Sequence, residues 1–182
     1  MPLSTSIKRE PMHHREINCY SYLREDGLWD IEGHLVDTKS YKFDNHDRGT
    51  IEPGTPLHEM WLRLTLDDEF MIHDVEAVTD WGPFNICPAI VDNYKKLIGL
   101  QIKSGWRRSV QKAVGGVNGC THLVDLLTPI AITAFQTIYP LKTKELNNTE
   151  IIEKPSLLST CHAYATDSPV VERLWPKHFI SK

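Results

Sequence analysis

The sequence predicts an α+β domain, with antiparallel β-hairpins in the N-terminal half followed by helices packed on one sheet face. Two observations carry this. Apolar and polar residues alternate along successive segments as far as Val78, and from about Pro83 apolar residues recur at helical intervals. Strands followed by helices, unmixed, suit a sheet covered on one side rather than a series of βαβ units.

Residues 1–16 show no period and are expected to form a loose arm. A single domain over 17–182 follows, with an extended C-terminal segment from about residue 141. Residues 17–24 read as a strand and Asp26-Gly27 as its hairpin turn, because glycine tolerates the positive φ such a turn needs. In the stretch 28–41, Trp29, Ile31, Gly33 and Leu35 share one side, and Asp30, Glu32 and His34 the other. That is the period of a half-buried strand. Residues 44–56, rich in Gly and Pro, read as a loop. Met60, Leu62, Leu64 and Leu66 then face one way, Asp67-Asp68-Glu69 turns the chain, and 70–78 returns as a partner strand.

A first helix is expected from Ile86, Ile90, Tyr94, Leu97 and Ile98, with Gly99 as its stop. Ser104 is positioned to cap a second helix over 105–114, ended by Gly115-Gly116. A third, over 120–139, carries the stripe Leu123, Leu126, Leu127, Ile130, Ala134, Phe135 and Ile138, with Pro129 inside it.

Composition narrows the partners. The chain is 41% apolar and 24% charged, with net charge -4. Lacking a basic surplus, it is not expected to bind a nucleic acid backbone. No apolar stretch is read as approaching the roughly 20 residues of a bilayer span, and the N-terminus has no apolar signal core, so neither membrane nor export is expected. Four separated cysteines are expected as free thiols or ligands in a cytoplasmic protein.

The candidate chemical centre is Cys120-Thr121-His122. A thiol at a helix start is expected to have a lowered pKa, as a nucleophile or metal ligand needs. Residues two apart on a helix diverge, so Cys120 and His122 converge only if Cys120 lies outside the helix. Cys87 lies at the start of the earlier helix, Cys161-His162 in the tail, and His58-Glu59 at a loop edge before a strand. His58, Cys87, Cys120, His122, Cys161 and His162 together supply enough nitrogen and sulfur donors for zinc or iron, although no standard ligand spacing is present. Glu32 and His34, two apart on a strand, project together and form a separate acid–base candidate, with Arg24 and Arg63 available to an anionic substrate.

Three motifs in order, residues 24–39, Pro56-Leu57-His58-Glu59-Met60-Trp61-Leu62-Arg63, and Gly119-Cys120-Thr121-His122-Leu123, resemble the bacterial family catalogued as domain of unknown function 2889. Cys161-His162-Ala163-Tyr164 adds a fourth motif, and the likeness runs from about Arg15 to Pro176. It implies no activity. A fainter likeness, on Met60, Leu62, Leu64, Ile72, Asp74 and Ala77, resembles NifU-like iron–sulfur scaffold domains. It implies ligand roles for Cys87 and Cys120, with His58 replacing a cysteine that the scaffold carries near Pro56.

Three functions are therefore expected: a metal-dependent Cys/His protein; a metal-free enzyme on a small carboxylate or acyl compound, using Cys120 or the Glu32/His34 pair; or a module that binds a protein partner through Trp61 or Trp106.

Overall fold

In the computed structural model, which describes residues 3–146 and 155–181, alternation and burial coincide. Strands β1 (His13–Leu23), β2 (Trp29–Lys39), β5 (Pro56–Leu66) and β6 (Ile72–Trp81) form one antiparallel sheet in the order β1-β2-β5-β6. Two short strands between them, β3 (Phe43–Asn45) and β4 (Gly49–Ile51), make a separate hairpin inside the segment expected to be a loop. Gly27 has φ 84°, the conformation its turn requires. Met71 makes an isolated bridge to Gln101 beside β6.

Each strand puts one set of side chains inward. Ile31 and Leu35 of β2 and Met60, Leu62, Leu64 and Leu66 of β5 are essentially fully buried. Burial of each such side chain contributes about 1.5–3 kcal/mol. Three helical segments complete the core: a 3-10 segment Cys87–Leu97, α1 (Trp106–Val114) and α2 (Thr121–Leu146). Leu123, Leu126, Leu127, Ile130, Ala134 and Ile138 of α2 are buried, as their spacing predicts. Gly33 sits where α2 comes closest to β2. A Cβ there would lie 2.8 Å from two atoms of Ile130, so the strand glycine makes room for the helix.

Several local expectations are corrected. The first helix is a 3-10 segment that begins only at Cys87 and buries Tyr94 and Leu97; Ile86 is its N-cap, outside the helical turns, and is 77% exposed, so the expected stripe is not formed. The N-cap of α1 is Gly105, in the left-handed region, rather than Ser104. Phe135 is exposed and stacks on Tyr139 instead of joining the core. Trp106 is buried, so of the two tryptophans expected at a surface only Trp61 is exposed. The segment Thr121–Thr143 is also long and apolar enough, by length and composition, to cross a membrane, contrary to the reading of the sequence. Of its apolar window 39% is buried in the core, while Ile132 and Leu141 are exposed.

The chain divides into two compact units, 1–140 and 141–182. The second contains α3 (Pro169–Leu174), capped by the Ser168 hydroxyl accepting from the Val171 N–H, and Tyr164 packed against Trp175.

Candidate metal centre

The inward face of the sheet changes character at one end. The alternation Trp29, Ile31, Gly33, Leu35 continues to Asp37, whose side chain is only 1% exposed. On β5 the set Leu66, Leu64, Leu62, Met60 likewise continues to His58, also buried. Asp37 pairs with Arg15 on β1 and with His58 on β5, which sets three polar side chains in a row across three strands. A register shift at Asp37/Thr38 ends the regular ladder there. His58 is thus a strand residue rather than a loop-edge one, and the pleat fixes its side chain inward.

The N-terminus of α2 closes over this row. Cys120 precedes the helix, its N–H donating to the Tyr94 hydroxyl at 3.1 Å and its carbonyl accepting from the same hydroxyl at 2.9 Å. A Cβ on Gly119 would overlap the Val114 carbonyl, so only glycine lets the chain enter α2 at this point. His122, in the first turn, stacks on His58 with ring centroids 3.6 Å apart.

A buried carboxylate needs compensation. Asp37 Oδ1 accepts from Arg15 Nε at 2.8 Å and lies 3.1 Å from His13 Nε2, and Oδ2 accepts from Arg15 Nη2 at 2.9 Å. Arg15 Nη1 also donates to Asp125 at 3.0 Å. Burial pushes the Asp37 carboxyl up, but the Arg15 guanidinium, aided by His58 and His13, outweighs it and holds the group below the usual carboxylate range. Burial and the neighbouring His122 push His58 down to about 4, and burial lowers His122 as well. At neutral pH the cluster is one carboxylate and two neutral imidazoles, the protonation state that a cation requires of its ligands.

The geometry suits a shared cation better than a hydrogen bond. His58 Nδ1 lies 3.2 Å from Asp37 Oδ2, yet it is a buried nitrogen with no hydrogen-bond partner among the described residues. His122 Nε2 is 3.8 Å from the same oxygen. Ligand atoms of Asp37, His58 and His122 all lie within 4.8 Å of one another. Two donors bound tetrahedrally at about 2.0–2.1 Å stand roughly 3.3 Å apart, between the two distances seen here.

Cys120 Sγ lies 3.8 Å from His122 Nδ1 and 3.9 Å from Met60 Sδ, so it touches the cluster through the far side of the His122 ring. Cys87 is packed against Gly82 and is not a member of the group of three. Cys161 and His162 lie in the 141–182 unit, at the start of a 3-10 turn, and both are exposed. Glu32 and His34 share the outward face of β2, as their spacing predicts, but they are engaged separately. Glu32 accepts from Arg63 Nε at 2.8 Å, whereas His34 pairs with Glu59 at 3.1 Å and stacks on Trp61 at 3.6 Å. Arg24 is engaged by Asp26 and Asp30.

The sequence reading missed Asp37 and Arg15 as members of this site. The signal for Asp37 was parity: it sits at the next inward position after Leu35, where an aliphatic residue would continue the face.

A family profile described as "Protein of unknown function (DUF2889)" matches residues 13–136. The match begins at the first residue of β1 and contains all three cluster residues. No curated protein and no solved structure matches the chain, and the likeness to NifU-like scaffolds finds no support.

Proposed function

We propose, from the premise that this chain belongs to the DUF2889 family of proteins of unknown function, that it is a metal-dependent protein whose centre is Asp37, His58 and His122. The observation that carries the reading is the buried Nδ1 of His58, which makes no hydrogen bond of good geometry although a carboxylate oxygen of Asp37 lies 3.2 Å away. A nitrogen in that position normally costs about 1–3 kcal/mol, which a cation bound between the two groups would offset. Three protein ligands leave coordination positions open, the pattern of catalytic rather than structural sites. Two imidazoles and one carboxylate suit Zn2+, which would activate a water or polarise a carbonyl, and equally suit Fe2+. Arg15 and His13 hold Asp37 from its other side and orient it, as partners of ligating residues do. Elemental analysis of freshly purified protein tests this. One zinc or iron per chain is expected in the wild type and little in His58→Ala; equal metal in both would sink the assignment.

One further observation favours a second reading. Cys120 Sγ, His122 and Asp37 Oδ2 stand in series, each step 3.8 Å, as a nucleophile, base and orienting carboxylate would. In that metal-free enzyme Cys120 Sγ attacks an acyl carbon as His122 Nδ1 takes the thiol proton; the bond from the acyl carbon to the leaving group then breaks, the leaving group takes that proton from His122, and water later hydrolyses the thioester. It requires iodoacetamide to label Cys120 faster than exposed Cys161 at neutral pH, and a His122→Ala variant to lose that advantage. Faster labelling of Cys161 in metal-stripped protein would count against it.

A further inference from the structure

A cavity of about 530 Å³ lies between β1, α1 and the first turns of α2. Small-molecule sites commonly fall in the range of about 300–1,000 Å³. Its wall is mixed: Ile17, Trp106 and Val124 are apolar, and Arg15, Arg107 and Thr128 are polar. Arg15 belongs to this cavity and to the Asp37 cluster at once. Its Nε and Nη2 hold Asp37, while Nη1 reaches Asp125, which also lines the cavity.

The charges select a class of ligand. Arg15 is offset by Asp37 and Asp125. Arg107 is exposed and has no ion-pair partner among the described residues. Arg15, Asp37, Asp125 and Arg107 sum to no net charge, and Arg107 is the guanidinium of the lining left without a carboxylate partner among the described residues, beside an apolar wall. That matches a single negative charge on an apolar body, and is a poorer match for a dianionic phosphate monoester.

We infer that this cavity binds a small organic monocarboxylate, its carboxylate on Arg107 and its apolar body against Trp106 and Val124. The inference deepens the metal-centre reading and rests on it for what the ligand meets beyond Arg15. Arg107 acts in binding only. Arg15, which spans the two places, positions Asp37 and forms part of the cavity wall.

Calorimetry on the full chain, with and without zinc, tests the assignment using octanoate, octyl phosphate and 1-octanol as probes. Octanoate is expected to bind about tenfold more tightly than 1-octanol and more tightly than octyl phosphate, and Arg107→Gln is expected to weaken octanoate by about the same factor while leaving 1-octanol unchanged. Because Arg107 is exposed, the variant should melt as the wild type does, and a thermal scan checks this. Equal affinity for octanoate and 1-octanol, or an unchanged affinity in Arg107→Gln, would overturn the inference. The two readings fail separately. Zinc uptake without a preference for octanoate would remove the carboxylate site and leave the metal centre standing. A charge-dependent octanoate site in protein that takes up no zinc would remove the metal centre and leave the cavity standing.

Discussion

Ile31 and Asp37 lie on the same face of the same strand, both essentially inaccessible to solvent. Around Ile31 the facing residues are aliphatic: Leu64 is its partner on β5, and Trp29 opposite Leu66 extends the same surface. Burial there is its own reward, because each side chain removes apolar area from water. Around Asp37 the partners are Arg15 and His58, and burial has to be compensated group by group. A buried ion pair is a weak source of stability, and an apolar replacement of similar volume often does as well or better. Strand period decides which way a side chain points. It does not decide why a polar residue occupies an inward position. At the Asp37 end, stability is a poor explanation and ligation a better one.

Making the polar end apolar should have the largest effect. Arg15→Met leaves Asp37 buried without its main partner, and should lose about 3–5 kcal/mol in chemical denaturation. Adding Asp37→Leu should recover most of that loss while removing the cation site. If the double variant is no more stable than the single one, the buried charges are not a liability and the contrast with the Ile31 end fails.

A smaller effect comes from pH. The folded His58 has a pKa of about 4, below the ordinary 6.5, so the unfolded chain takes up a proton that the folded chain refuses. Its stabilising contribution is present above pH 6.5 and is lost as pH falls towards 4, up to roughly 3 kcal/mol in metal-free protein. His122 acts in the same direction, and Asp37, whose folded pKa is lowered, adds its loss only below the ordinary 3.8. Denaturation at a series of pH values should show the decline, and His58→Leu should flatten it. The inward residues of the apolar end, Trp29, Ile31, Leu64 and Leu66, do not titrate and contribute no such slope.

Smallest is Gly33→Ala, at the apolar end. The new methyl would displace Ile130, at a cost of about 1–2 kcal/mol in thermal melting, without altering metal content. A variant as stable as the wild type would mean that α2 can shift away from β2.

Much of the fold was legible because it rests on period. Trp29, Ile31, Gly33 and Leu35 against Asp30, Glu32 and His34, and the Met60–Leu66 set, fell on the expected faces, and the buried stripe of α2 followed from its spacing. The 3-10 segment was not legible, since Ile86 and Ile90 fit an α-helical stripe equally well on paper. Within the site, His122 and Cys120 were visible as a helix-start pair, and His58 as a donor. Their meeting place was not, because it depends on the pairing of β1, β2 and β5, which brings Arg15, Asp37 and His58 together across a sequence distance no local motif spans. Cys87 had the right chemistry for a ligand, but side-chain chemistry alone carries no information about position.

In the proposed reading, Asp37, His58 and His122 together hold one divalent cation. Titration of zinc into chelator-stripped protein, followed by calorimetry, tests it most directly. One site per chain is expected in the wild type and in Cys87→Ser, and loss of that site in Asp37→Ala, His58→Ala and His122→Ala. Zinc bound equally well by all of these variants, or by none of them including the wild type, would contradict it.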